Sequence, residues 1–182
     1  MAQAFSRLGS EVTIVEMSSQ IMSREDNDVV QFVKERFKKE KIKILVNHKV
    51  ISFKSNKLIC DHKGKEKVIE FDQILLALGR SPNIKGFGLS ELGVKIRNNG
   101  TIQANQFLQT NISNIFVCGD VTGPYQFTHT AAHQAWYATV NALFSPFKKF
   151  KVDYSIIPWT TFLDPEIARV GLNEKEAKEL NI

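Results

Sequence analysis

Two kinds of segment alternate along the chain: apolar positions at helical spacing, and short apolar runs bounded by glycine or polar turns. Residues 2–8 (AQAFSRL) have helical spacing, and Gly9 stands where a helix-ending glycine belongs. Residues 12–16 (VTIVE) form a short β-branched run that predicts a strand ending in an acid. Residues 26–41 predict an amphipathic helix with Val29, Val30, Val33 and Phe37 on one face. Beyond it the pattern shortens to strands at 42–46, 49–53, 58–60 and 68–71, with a turn at 61–65. DQILLALGR adds a buried strand at 73–78 that enters Gly79. Residues 81–114 are rich in Gly, Asn and Pro, which predicts loops around a short strand at 101–103. NIFVCGD, residues 114–120, predicts another buried strand, ending in Gly-Asp, and a long apolar helix follows at about 130–143.

The order of these elements carries more than any one of them. Helix, glycine turn, strand and terminal acid make the second half of a βαβ unit, so its first strand and glycine-rich turn are expected upstream of Met1. Strands after such a unit predict a parallel sheet with a small antiparallel meander crossing over it. The segment SIIPWTTFLDPEIARVGLNEKEAKELNI starts a new unit and stops within a helix. The expectation is a chain cut at both ends.

Composition narrows the class. With 43% apolar and 24% charged residues, the chain matches ordinary soluble globular proteins. No apolar run reaches the roughly 18 residues of a membrane helix, and residues 1–8 lack the apolar core of a signal peptide. A cytoplasmic protein without a membrane segment is expected. The net charge of +5 invites a nucleic-acid reading. Yet the cations from Lys34 to Lys43 are interleaved with Glu35 and Glu40, as on a solvated helix face, so no nucleic-acid partner is expected. Cys60 and Cys118 are too far apart for a C-x-x-C or C-x-x-x-x-C pair, and each lies in an apolar run where a buried, inert thiol is expected. The four histidines are scattered, and no metal site is expected.

Three places could carry chemistry. Glu16, at the carboxyl end of a strand, could accept hydrogen bonds from adenosine ribose hydroxyls, as in dinucleotide folds. Met17, Ser18, Ser19 and Gln20 after it supply no cation for a 2′-phosphate, which favours NAD over NADP. Read alone, Glu16 is equally a solvated acid at a strand end. Gly79 in ALGR would let a backbone approach a ligand closely, or simply mark a strand exit. Asp120, with Gly119 before it, could accept from a polyol hydroxyl such as those of a flavin ribityl chain, or cap a turn. A helix starting near Thr130 would direct free N–H groups and its positive dipole end at an anion such as the N1–O2 edge of reduced flavin.

LGSEVTIVE, ILLALGRSPN, LQTNISNIFVCGDVTGPYQFTHTAAHQA and IPWTTFLDPEIARVGLNEKEA, taken in order, resemble the class I pyridine nucleotide-disulfide oxidoreductases. That family includes dihydrolipoamide dehydrogenase, glutathione reductase and mercuric reductase, and the QF-x-x-x-AA register is most similar to mercuric reductases. The resemblance spans essentially the whole chain. It implies an α/β flavoprotein with two Rossmann-like dinucleotide-binding domains, present in part, and the start of an α+β dimerisation domain. On that basis residues 1–79 are the C-terminal part of the NAD-binding domain. Residues 80–150 are the returning part of the FAD-binding domain, and 151–182 begin the dimerisation domain. The implied cofactors are FAD and NAD. Glu16 takes the NAD ribose and Gly79 the nicotinamide nucleotide. Gly119 and Asp120 take the ribityl chain, and Thr128 meets the flavin O2 edge through its backbone N–H, with Phe127 beside it.

The implied activity is hydride transfer from NADH to FAD and on to a small-molecule acceptor, a disulfide or a metal ion such as Hg(II), in a homodimer. The family's FAD phosphate loop, C-x-x-x-x-C pair and first NAD glycine turn would precede Met1, and its His–Glu pair would follow Ile182. No residue here is therefore assigned as nucleophile or proton donor, and the chain alone is expected to be inactive. Three other readings remain open: an NADH dehydrogenase or flavin reductase without a redox disulfide, a non-catalytic truncated remnant, and a basic binding module.

Overall fold

The computed structural model describes all 182 residues, which form two compact units. The first comprises Met1–Leu76 and Thr160–Ile182, and the second Ala77–Trp159.

In the first unit, helix α1 (Ala2–Arg7) leads into strand β1 (Thr13–Val15), then helix α2 (Asn27–Lys39) and strand β2 (Lys43–Leu45). β1 and β2 pair in parallel, Ile14 opposite Ile44, as the βαβ pattern predicts. Parallel neighbours need a crossover, and α2 supplies it, packing Val30, Val33 and Phe37 onto Ile21 and Ile42. Val29, expected on the same face, is only half-buried. Strands β3 (Lys49–Lys54), β4 (Lys57–His62) and β5 (Lys65–Glu70) follow as an antiparallel meander in sequential order. β4 extends beyond residues 58–60 because both neighbours pair along its length, and the turn shrinks to Lys63 and Gly64. β4 buries Leu58 and Cys60, and burial raises the Cys60 thiol pKa, whereas Cys118, also expected to be buried, is only half-buried at the edge of the second unit's core.

The C-terminal segment closes this unit. Strands β6 (Pro158–Thr161) and β7 (Ile167–Val170) pair with each other, and Leu163 and Ile167 join the core under α2. Helix α4 (Glu174–Glu179) starts with a full capping box, Asn173 accepting from the Glu176 N–H at 2.8 Å while Glu176 accepts from the Asn173 N–H at 3.1 Å. The Asn173 amide also donates to the Arg24 carbonyl at 2.8 Å, and Asp26 accepts from the Glu174 and Lys175 N–H groups.

The second unit holds one long helix, α3 (Thr128–Phe144), and otherwise loops; the strands expected at 101–103 and 114–120 do not form, because each segment meets its neighbour at a single isolated bridge, Ile102 with Ile96 and Phe116 with Gln109. Val94, Ile102 and Val117 form one core cluster; Leu108, Ala138 and Val152 form another. α3 departs from its apolar reading. Its buried side chains are Thr130, Gln134, Ala138 and Asn141, while Trp136, Leu143 and Phe144 are exposed. The polar stripe is tolerable because the amides are used. Asn141 donates to the Phe107 and Phe150 carbonyls and accepts from the Phe150 N–H.

Residues 73–78 overturn the expectation of a buried strand. They form no strand, and Leu75, Leu76 and Leu78 are 63%, 58% and 79% exposed. An extended segment becomes a strand only where a neighbour accepts its ladder bonds, and no strand of this chain lies beside it. No helix is long and apolar enough to cross a membrane.

Candidate functional site

The run 114–120 reaches the second unit's core. Val117 is buried, its N–H donates to the Leu108 carbonyl at 2.9 Å, and Phe116 bridges to Gln109. Gly119 is buried at φ +83°, a left-handed conformation that costs little only without a Cβ. A Cβ there would stand 3.5 Å from the Ala131 Cβ of α3, so space also favours glycine. The Gly119 carbonyl accepts from the Thr122 and Gly123 N–H groups, closing a tight turn directly after the strand-like run.

Gln134, fully buried on α3, holds that turn. Its Oε1 accepts from the Gly119 N–H at 2.5 Å, and its Nε2 donates to the Gly123 carbonyl and the Tyr154 hydroxyl, both at 2.8 Å. One amide thus fixes both ends of the turn to the helix. Burial pushes the Tyr154 phenol above its usual pKa, against the smaller opposing effect of its bond with Gln134. Neither Gln134 nor Tyr154 was legible as a site residue. The available signal was a polar series at positions 130, 134 and 141, where an apolar face is expected.

Asp120 leaves this turn half-exposed, its side chain 37% accessible, with one oxygen 3.2 Å from Arg80 Nη1. Arg80 is itself 64% exposed and reaches the Gln126 carbonyl at 3.5 Å. A pair this accessible is weak and leaves the carboxylate available to a competing donor. Phe127 is the N-cap of α3 in an extended conformation, and no side chain caps the helix. Thr128 and His129, the first two residues of the helix, are exposed and their N–H groups have no side-chain cap, and the dipole of a 17-residue helix favours negative charge there. Phe127 stacks on His129 at 5.3 Å, with Tyr125 and Trp159 at 6.2 and 5.9 Å, forming an aromatic wall. Thr130, in the same first turn, is completely buried and its hydroxyl has no hydrogen-bond partner.

Of the remaining candidates, Gly79 directly precedes Arg80, the partner of Asp120. Gly79, at φ +119°, is in the second unit, exposed and with open space where a Cβ would be. Glu16 is in the first unit, directly after β1. Its N–H donates to the Leu45 carbonyl and its carbonyl accepts from the His48 N–H, which anchors it at the sheet end. Its Oε1 accepts from the Ser18 N–H at 2.7 Å. The half-buried carboxylate is thus held in place with its second oxygen available. No group of three or more His, Cys, Asp or Glu side chains is arranged to hold a metal.

Residues 1–135 match the family model for pyridine nucleotide-disulphide oxidoreductases, a class in keeping with a parallel pair crossed by a helix and followed by a meander. The chain belongs to that family. It is 39% identical over its whole length to dihydrolipoyl dehydrogenase of Buchnera aphidicola subsp. Schizaphis graminum, covering 39% of that protein. It is also 34% identical to mercuric reductase of Staphylococcus aureus, with 98% of this chain matched to 33% of that protein. Among solved structures, the HOCl-induced flavoprotein disulfide reductase RclA from Escherichia coli superposes with a TM-score of 0.80 at 29% identity, over 98% of this chain and 41% of that one. LpdA from Mycobacterium tuberculosis shares the fold, with a TM-score of 0.86 at 23% identity, over 100% of this chain and 39% of that one. The chain thus spans between about a third and two fifths of the length of these relatives.

Proposed function

We propose that this chain is the part of an FAD-dependent NADH oxidoreductase that holds the flavin's ribityl and pyrimidine side, and that the full protein passes a hydride from NADH through FAD to a disulfide or metal-ion acceptor. The observation that carries the reading is the pairing of a half-exposed Asp120, fixed behind a buried glycine turn, with the uncapped N-terminus of α3. The donor set fits a flavin. A carboxylate accepts from a polyol hydroxyl, and open helix N–H groups favour an electron-rich ring edge. When bound, FAD supplies the two-electron chemistry; these residues orient it and stabilise its negative charge.

In this reading Asp120 accepts from the ribityl chain, exchanging its exposed partner Arg80 for a hydroxyl. Gly119 keeps the backbone close, Thr128 offers its N–H, and Phe127 forms part of the aromatic wall. Glu16 accepts from the NAD ribose with the oxygen that Ser18 leaves available, and Gly79 admits the nicotinamide nucleotide. Residues 1–79 then belong to the NAD-binding domain, 80–150 to the FAD-binding domain and 151–182 to a dimerisation domain, through which the full protein pairs as a homodimer.

The isolated chain should purify colourless, because its 182 residues contain no glycine-rich phosphate loop to hold the rest of FAD. Absorbance near about 450 nm retained through gel filtration would refute this division of the flavin site.

A further inference from the structure

The first unit has an open sheet edge that this reading leaves unused. β2 has a single neighbour, β1. Lys43 and Leu45 use their backbone groups on that side: the Lys43 N–H donates to the Val12 carbonyl and the Leu45 carbonyl accepts from the Glu16 N–H, both at 2.9 Å. Ile44 lies between them, and in a strand alternate residues direct their N–H and C=O to opposite sides. Its backbone groups therefore face away from β1, where no third strand stands.

An open groove of about 510 Å³ is lined by Lys34 and Lys38 of α2 together with residues 41–44 and Val46, so Ile44 of the open edge is among its walls. Its lining carries Lys34, Lys38, Lys41 and Lys43 and no carboxylate, and none of the four lysines is in a salt bridge. The acids interleaved with them are engaged elsewhere. Glu35 accepts from Gln31 at 3.0 Å, and Glu40 is held at 2.7 Å by both Arg7 and Arg36.

Lysines on an edge strand commonly guard it against pairing. That role accounts for Lys41 and Lys43. It does not account for Lys34 and Lys38, one turn apart on a helix and facing the same groove.

We propose that this groove docks an extended, acidic segment of a partner protein, which adds as a strand to the β2 edge at Ile44 while its carboxylates meet the four lysines. Charge selects this occupant. A second copy of the chain would set lysine against lysine, whereas an acidic strand gains main-chain bonds and Coulomb attraction together. The groove lies wholly within the first unit, so the proposal stands or falls independently of the flavin site.

The test uses this chain and an end-blocked peptide of about eight alternating Glu and Val residues, long enough for one strand. Two controls carry the same charge, one with a central Pro and one with N-methylated amides, both unable to extend a ladder. Fluorescence anisotropy is expected to show binding that weakens at least about tenfold when salt rises from roughly 50 to 500 mM, and a comparable loss in K34E/K38E. Amide exchange is expected to slow at Ile44 in the complex, and the two controls are expected to bind much more weakly. K34Q/K38Q, with circular dichroism matching the parent, should give an intermediate loss. Equal binding of parent peptide and controls, unchanged exchange at Ile44, equally tight binding of duplex DNA, or no binding at all would each overturn the proposal. The last result would leave the lysines as edge guards only.

Discussion

Two segments of this chain share one sequence pattern and meet different fates. ILLALG and NIFVCG are both apolar runs entering a glycine with positive φ, Gly79 at +119° and Gly119 at +83°. The second is anchored by Leu108, Gln109 and Gln134, with Val117 in the core. The first has no strand neighbour and exposes Leu75, Leu76 and Leu78. Hydrophobic pattern specifies which face wants burial; burial itself requires a neighbour that supplies ladder bonds and apolar contact.

Removing the anchor should have the largest effect. Gln134→Leu would leave the Gly119 N–H, the Gly123 carbonyl and the Tyr154 hydroxyl without their amide partner, at a cost of roughly 3 kcal/mol. A urea series followed by Tyr and Trp fluorescence would measure it, and amide exchange should accelerate first at 119–123. A cost under about 1 kcal/mol would mean that the turn holds without its amide.

The two runs can then be compared directly. Val117→Ala should destabilise by about 1–2 kcal/mol through lost burial and a small cavity. Leu76→Ala, at a site 58% exposed, should stay within about 0.5 kcal/mol. Similar losses at both sites, read from chemical denaturation, would show that residues 73–78 are packed in solution.

Much of the framework was legible in the sequence. The parallel β1–β2 pair, α2 with its Val30, Val33 and Phe37 face, and the meander follow from periodicity and glycine placement, because those elements find their partners nearby in the chain. Asp120 stands out as a candidate because it ends an apolar run beside a glycine, and the structure places it directly after the buried Gly119 that opens the turn. What escaped has a common cause. The Gln134 bridge, the Arg80–Asp120 pair and the exposure of residues 73–78 depend on which groups meet across sequence separations that local pattern does not encode. α3 shows this most clearly, since its apolar composition concealed a buried stripe of Thr130, Gln134 and Asn141.

A smaller effect is expected at the α4 cap. Asn173→Ala removes both the capping bond and the amide bond to the Arg24 carbonyl, and should cost about 1 kcal/mol. The loss should appear as faster exchange in the first turn of α4, with residues 119–123 unaffected.

The smallest effect is electrostatic. The Arg7 hydrogen bond holds the Glu40 carboxyl below its ordinary pKa, with burial opposing and Gln3, Arg36 and Coulomb attraction assisting. A depressed folded-state pKa contributes stability that is present above the unfolded value and is lost as pH falls through the folded one. The urea midpoint should therefore drop on acidification below about pH 4.3, and Glu40→Gln should flatten that part of the profile. An unchanged acid limb in Glu40→Gln would contradict the assignment.

Gly119, Asp120 and the first turn of α3 are proposed to form one side of a flavin site. The most direct test is an amide chemical-shift titration of this chain with FAD. Weak, saturable shifts are expected at Gly119, Asp120, Thr128 and His129, and Asp120→Ala should abolish them without unfolding the protein. Shifts confined to other residues, or unchanged by Asp120→Ala, would contradict the account.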